Sequence, residues 1–379
     1  MRALIAPEGG PVHRQDVALR PAAIAMVWTG VGQRHQEMAV PGVALAPGDV
    51  LVAVELTTLC EADVRTVQGR RPAPVPLVLG HESVGRVMAI GEAGATTVDG
   101  SAVQVGDRVV WSATVPCGAC DRCASGRAPA CRRPVAYGGA RIEPRWELTG
   151  GLAGHVHLRA GTAIVRVPEA MTAAALAPVP CATATAWAAV ARGARERPLG
   201  GARVVVFGAG LVGLTAAAIA TEEGATVLVV EPDPARRAAA ARFGLTTSAA
   251  DAVADGAADV VIETSGRAAG AAIDAADVGG SVVLVGDAAS ADPVAVADPV
   301  AAEVAVDAER VVGRLLTVSG VHGSTGPELA AAAAFMAGRG RAYPFAEVVG
   351  AIRPLAAVDE ALAEATAPGA PLRIGVTPR

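Results

Sequence analysis

Four cysteines crowd into the segment CGACDRCASGRAPAC, at Cys117, Cys120, Cys123 and Cys131, with the spacing C-x2-C-x2-C-x7-C. In a reducing compartment thiols stay unpaired, and short x2 gaps let thiolates converge on one ion, so the pattern favours metal over disulfide. Zinc held tetrahedrally by four thiolates at about 2.3 Å would staple a lobe that contains Gly118, Gly126 and Pro129 and little core of its own. Iron–sulfur clusters also take four cysteines, but their usual runs end in Cys-Pro or open on a longer gap. Cys60 and Cys181 remain, one on each side of the lobe. A catalytic zinc needs three protein ligands of N, S or O type and an open position. LVLGHESVGRV offers His81, followed directly by Glu82, on a Gly80 turn between apolar runs. Taken singly, each of these residues reads as structural, since a lone buried Cys usually packs as a small hydrophobe. The set Cys60, His81 and Cys181 is the expected catalytic zinc site because it leaves none of the six cysteines spare.

A second chemistry lies at GARVVVFGAGLVG, where an apolar run meets Gly208-x-Gly210-x-x-Gly213 and an Ala-rich helical segment follows. In that context the first Gly permits a tight turn, the second lets backbone approach a pyrophosphate, and the third allows close helix packing. Leu211 and Val212 fill the positions before Gly213, and the pyrophosphate would face free N–H groups at the helix start. The run TVLVVE ends at Glu231, 18 residues beyond Gly213. A carboxylate there accepts from ribose hydroxyls and repels a 2′-phosphate, so NAD(H) is favoured over NADP(H); Arg236, one helical turn on, tempers that preference.

The elements that must position these groups fall into two kinds. Residues up to about 170 are rich in short apolar runs punctuated by Gly and Pro, among them GDVLVAVEL, ESVGRVMAIG, VGDRVVWSA and GTAIVRVP, which suit a mostly antiparallel β domain. Beyond it, VVVFG, TVLVVE, DVVIETSG and SVVLVGD alternate with Ala-rich segments, the pattern of a doubly wound parallel sheet. A chain of 379 residues has room for both. The net charge of −5 argues against a nucleic-acid binder. No unbroken apolar stretch approaches the roughly 20 residues of a membrane span, and the N-terminus lacks a signal-peptide apolar region. A cytoplasmic protein with a small-molecule substrate is expected. The absence of lysine rules out a Schiff-base mechanism.

Cys60, the GHE of Gly80–Glu82, the four-cysteine lobe, PVPCATATAW and VFGAGLVG occur in the order and at the spacing found in the zinc-dependent medium-chain alcohol dehydrogenases, and from about Ile24 onward the sequence resembles that family. The resemblance implies an α/β protein: a GroES-like, mostly antiparallel β catalytic domain over 1–181 with a structural-zinc lobe at 117–131, a Rossmann NAD-binding domain over 182–323, and a return to the catalytic domain over 324–379. It implies two zinc ions per chain, Glu82 able to approach the catalytic metal, Thr185 near the nicotinamide, Arg373 at the pyrophosphate, and a homodimer or homotetramer. Asp63 is expected to orient His81, with a surface turn as the alternative. The implied activity is hydride transfer between a nicotinamide and an alcohol or its carbonyl. Departures sit beside Cys60. The family usually has Ser or Thr two residues on and often His five residues on, forming a proton route; here Ala62 and Arg65 stand there, and neither relays a proton. Glu61 is a substitute base or a hindrance to pyrophosphate. Three readings follow: an alcohol or polyol dehydrogenase with an altered relay, a conjugate enone reductase, and a non-catalytic NAD-binding protein. Arg65, Arg70 and Arg71 between two ligands, together with WSATVPCG and GTAIVRVP, resemble a bacterial branch tied to phosphonates and cyclitol or sugar phosphates, whose anionic groups suit Arg forks.

Overall fold

The computed structural model describes residues 14–249, 253–286 and 306–378. Its second half contains a six-stranded parallel sheet in the order Thr246–Ser248, Thr226–Val230, Arg203–Phe207, Ala258–Glu263, Ala276–Val285, Thr317–Val321. Numbered along the chain this is 3-2-1-4-5-6, the doubly wound order, and it opens a crevice between the first and fourth strands. The runs that build it are short and Val-rich because both faces are covered: Ala258–Glu263 is buried along its whole length.

The other part of the fold is built around a seven-stranded sheet, antiparallel except where Val349–Pro354 pairs in parallel with Arg373–Thr377. One path through it runs Ile164–Arg166, Arg108–Trp111, Glu82–Ile90, Val50–Leu59, Arg373–Thr377, Val349–Pro354, with His155–Leu158 also paired to Val50–Leu59. The chain therefore comes back after the parallel sheet, and Arg373–Thr377 lies directly beside the strand leading into Cys60. The helix Gly326–Ala337 instead packs into the large core shared by the helix Ala184–Gly193 and the parallel sheet. A smaller sheet joins Gln15–Trp28, Gln36–Leu45 and Leu77–Val78. It uses residues 15–22, for which the sequence pattern offers no expectation.

The segment Ala173–Gly193 forms a 21-residue helical run of mean hydropathy 1.4, long and apolar enough to cross a bilayer by composition. In the sequence Pro178, Pro180, Cys181, Thr183 and Thr185 break its apolar pattern. It is 72% buried inside the fold, as expected of a core helix. Its middle, Val179–Thr183, is wound as a π turn and carries Cys181. Such turns insert one residue into a helix and commonly mark functional positions.

Candidate active site

Cys60 ends the strand Val50–Leu59 and caps the short helix Glu61–Val67; its Sγ accepts from Ala62 N at 3.3 Å. Asp63 completes a capping box by accepting from Cys60 N at 3.1 Å. Its other oxygen accepts from Gly80 N at 3.2 Å and lies 3.6 Å from His81 Nδ1. Gly80 has φ +92°, and a Cβ there would meet Thr57 Cγ2 and Leu152 N at 2.9 Å, so only glycine turns the chain tightly enough to send His81 inward. His81 Nε2 then lies 3.1 Å from Cys60 Sγ. Cys181 comes from the π turn and lies outside the close cluster of ligand atoms, which takes in Cys60, Asp63 and His81; it is coupled electrostatically to the Cys60 thiol and the His81 ring.

The charges of this cluster are strongly skewed. Burial pushes His81 down, but Asp63 and Cys181 outweigh it and hold the ring well above its usual value. Burial pushes Asp63 up, and His81 with the N–H groups of Cys60 and Gly80 brings it below the carboxylate range. The hydrogen bond from Cys60 holds Cys181 down to about 6, while the same contact and burial push Cys60 well up. A sulfur facing an imidazole backed by a carboxylate, with a second thiol coupled to both, forms a pocket that favours a cation. The N–S separation is near the edge of about 3.5 Å that tetrahedral zinc imposes, so the donor set fits zinc.

In the lobe, the four cysteine sulfurs lie within 4.8 Å of one another. The Cys120–Cys123 and Cys120–Cys131 separations are 3.4 and 3.9 Å, too long for a disulfide and close to the tetrahedral S–S edge of about 3.8 Å. Backbone N–H groups of Cys117 and Arg133 point at Cys131 Sγ. These residues also fit zinc.

The glycine turn sits at the switch point of the parallel sheet, with Gly210 capping the helix Leu211–Glu222. Leu211 and Val212 begin that helix. A Cβ on Gly213 would lie 1.9 Å from the Gly208 carbonyl oxygen and 2.9 Å from Thr264 Oγ1. Gly213→Ala is expected to cost about 1–3 kcal/mol through overpacking and to weaken NADH binding, measurable by thermal unfolding and by NADH fluorescence titration. Glu231 is buried at the end of its strand, accepting from Ala209 N and Asp233 N at 2.8 and 2.9 Å. Arg236 is exposed; the arginine that packs here is Arg237, donating to the carbonyls of Glu231 and Pro232. Thr185 is buried near the start of the helix after Cys181.

Three expected residues lie elsewhere than the sequence suggests. Glu61 is not brought into the cluster: its side chain is 73% exposed and 4.0 Å from Arg70. Arg373 points at Glu82, with Nε and Nη2 donating to its two oxygens at 2.7 and 2.8 Å and Nη1 donating to Leu372 O. Glu82 is thus a fully buried partner of Arg373 and is not among the atoms clustered with Cys60 and His81. The sequence reading passed over Thr58, whose Oγ1 donates to Glu82 at 2.6 Å, and Thr57, hydrogen-bonded to Ser83 at 2.7 Å. The TT pair before Cys60 was visible, but only strand register gives it a partner.

Residues 46–169 match the family described as the alcohol dehydrogenase GroES-like domain. Over 306 residues, 76% of this chain and 80% of the relative, the sequence is 33% identical to L-threonine 3-dehydrogenase of Streptomyces avermitilis. Over 205 residues, 53% of this chain and 55% of the relative, it is 35% identical to 5-exo-hydroxycamphor dehydrogenase of Pseudomonas putida. An alcohol dehydrogenase of Thermotoga maritima shares the fold with a TM-score of 0.82 at 24% identity, over 94% of this chain and 99% of that one. A zinc-binding dehydrogenase of Sinorhizobium meliloti bound to NADP does so at 0.77 and 23%, over 94% and 99%. With its GroES-like sheet, doubly wound nucleotide-binding sheet and cysteine-histidine cluster, the chain belongs to the zinc-dependent medium-chain alcohol dehydrogenase family.

Proposed function

We propose that the chain interconverts a primary or secondary alcohol of polyol or cyclitol type and its carbonyl, using NAD(H), with Cys60, His81 and Cys181 holding a catalytic zinc and Cys117, Cys120, Cys123 and Cys131 a structural one. The observation that carries this reading is the 3.1 Å contact of Cys60 Sγ with His81 Nε2, with Asp63 behind the ring. When bound, zinc supplies Lewis acidity toward a substrate oxygen, and the nicotinamide takes or gives the hydride. Asp63 holds His81 by Nδ1 and so keeps Nε2 directed at Cys60 Sγ. The N-terminus of Leu211–Glu222 receives the pyrophosphate, and the buried Glu231 carboxylate selects NAD(H) by accepting from a ribose and repelling a 2′-phosphate. Ala62 has no exchangeable proton and Arg65 does not give up its own, so the proton leaves through water rather than a side chain at those positions.

Arg70 and Arg71, on the loop between Cys60 and His81, are the groups that would take a phosphate or phosphonate on the substrate. Arg70 is exposed, donates to the side-chain oxygen of Gln68 and lies 4.0 Å from Glu61. Ala62 also favours a second reading, reduction of a double bond conjugated with the carbonyl. For assembly, Thr317–Val321 ends the parallel sheet with Val318 exposed, an edge that a second copy would cover in a homodimer or homotetramer. Metal analysis with cofactor absorbance tests the proposal. Two zinc ions per chain and NAD+ reduction by an alcohol from a panel of free and phosphorylated polyols is the expected result. NADH oxidation only by enones would shift the assignment to the second reading. Tight NAD binding without turnover on any of these compounds would sink both.

A further inference from the structure

Glu82, Thr58 and Arg373 form a row across three neighbouring strands of the catalytic sheet. Thr58 on Val50–Leu59 is the Cα partner of Glu82 on Glu82–Ile90 and of Gly375 on Arg373–Thr377. Glu82 is completely buried and accepts three charge-assisted or hydroxyl hydrogen bonds, two from Arg373 and one from Thr58. Arg373 alone would pin both oxygens, but a bidentate fork can pivot about its own axis. The Thr58 hydroxyl comes from a different strand and fixes Oε2 from a second direction, which removes that freedom. Glu82 is adjacent in sequence to His81, and its charge reaches the Cys60 and Cys181 thiols. Its carboxylate nevertheless stays outside the cluster of ligand atoms.

We propose that Thr58 is a positioning residue that holds the Glu82 carboxylate against Arg373 and off the metal cluster, and so sets how readily the catalytic metal exchanges its ligands. The inference rests on the metal-site reading above. Without the Thr58 hydroxyl, the Glu82 carboxylate would be freer to turn toward Cys60 and Cys181, where, with zinc bound, it would compete with them for the ion. Valine keeps the shape of threonine and removes the donor; serine keeps the donor and removes the methyl.

The test uses full-length enzyme loaded with zinc and a chromophoric chelator to follow release. Thr58→Val is expected to release one of the two ions faster by roughly tenfold, the scale on which partners of metal ligands act. Thr58→Ser is expected to release it at the native rate. With cobalt in place of zinc, Thr58→Val is expected to alter the visible ligand-field spectrum and Thr58→Ser to leave it as in the native protein. The double variant Thr58→Val/Glu82→Gln is expected to release metal no faster than Glu82→Gln alone, because the competing carboxylate is gone. Should the Glu82 variants fail to fold, the valine and serine comparison still decides. A Thr58→Val rate within about twofold of native, or serine and valine variants perturbed alike, overturns the inference. If the native chain instead holds a single zinc that survives Cys60→Ala, the metal-site reading has failed and takes this inference with it.

Discussion

Replacing Cys60 by alanine is expected to lower the zinc content from two ions per chain to one and to reduce turnover by about 10³-fold or more, the factor that corresponds to several kcal/mol of lost Lewis-acid stabilisation. The fold should largely survive. Cys60 is buried between Leu59 and Val64, both members of a core cluster, and its thiol caps the helix Glu61–Val67, a contribution of about 1 kcal/mol. The change also removes the hydrogen bond that holds the Cys181 thiol down, so the remaining pair would bind metal poorly at neutral pH. Metal stoichiometry, initial rates and a thermal melt on the same preparation distinguish this from global unfolding. Two zinc ions retained with native activity would show that Cys60 packs rather than ligates.

Replacing Cys131 by alanine is expected to remove the other ion and act chiefly on stability. Cys131 is the buried member of its quartet, and its sulfur receives two backbone N–H groups. The two short helical turns of the lobe, Asp121–Ala124 and Ala128–Ala130, bury no residue of their own. Besides metal ligation, 117–131 is tied mainly by exposed contacts such as Arg132 donating to Asp121 and Arg122 donating to the Ala130 carbonyl, and structural zinc sites contribute on the order of 10 kcal/mol to the folding of small metal-bound units. Trypsin should then cut at Arg127 or Arg132, which are exposed, at rates at which the native lobe stays intact. A variant that keeps two zinc ions and resists trypsin would contradict the zinc assignment of the lobe.

Much of this architecture is legible from spacing. The four clustered cysteines, the glycine turn after a Val-rich strand and Glu231 at the next strand end are local signals, and local signals survive in a linear reading. What is hidden depends on register and distance. Thr58 is one threonine in a strand until its neighbour across the ladder proves to be Glu82. Arg373 lies 291 residues from that same glutamate, so family likeness suggests a phosphate partner while the fold supplies a carboxylate. Arg236 and Arg237 differ only in helical phase after Pro234, and that phase turns one to solvent and the other onto Glu231. Glu61 leads a helix whose first turn points it outward, which no count of residues from Cys60 reveals. The early strand Gln15–Trp28 escapes a pattern reading because Arg20 and Pro21 interrupt its alternation.

The Glu82–Arg373 pair also bears on the order in which the protein matures. Cys60, His81 and Glu82 leave the ribosome long before Arg373, and the whole nucleotide-binding sheet is made in between. Domains generally fold as units during synthesis, so a partly made chain would have to bury Glu82 without its guanidinium partner, a penalty of about 3–5 kcal/mol for a buried pair that lacks one member. The β sheet around Cys60 and His81 is therefore held open to its last strand. A chain truncated before Arg373 should accumulate as a species with a formed nucleotide-binding sheet and an unsealed catalytic sheet, exposing the edge of Val50–Leu59 to aggregation.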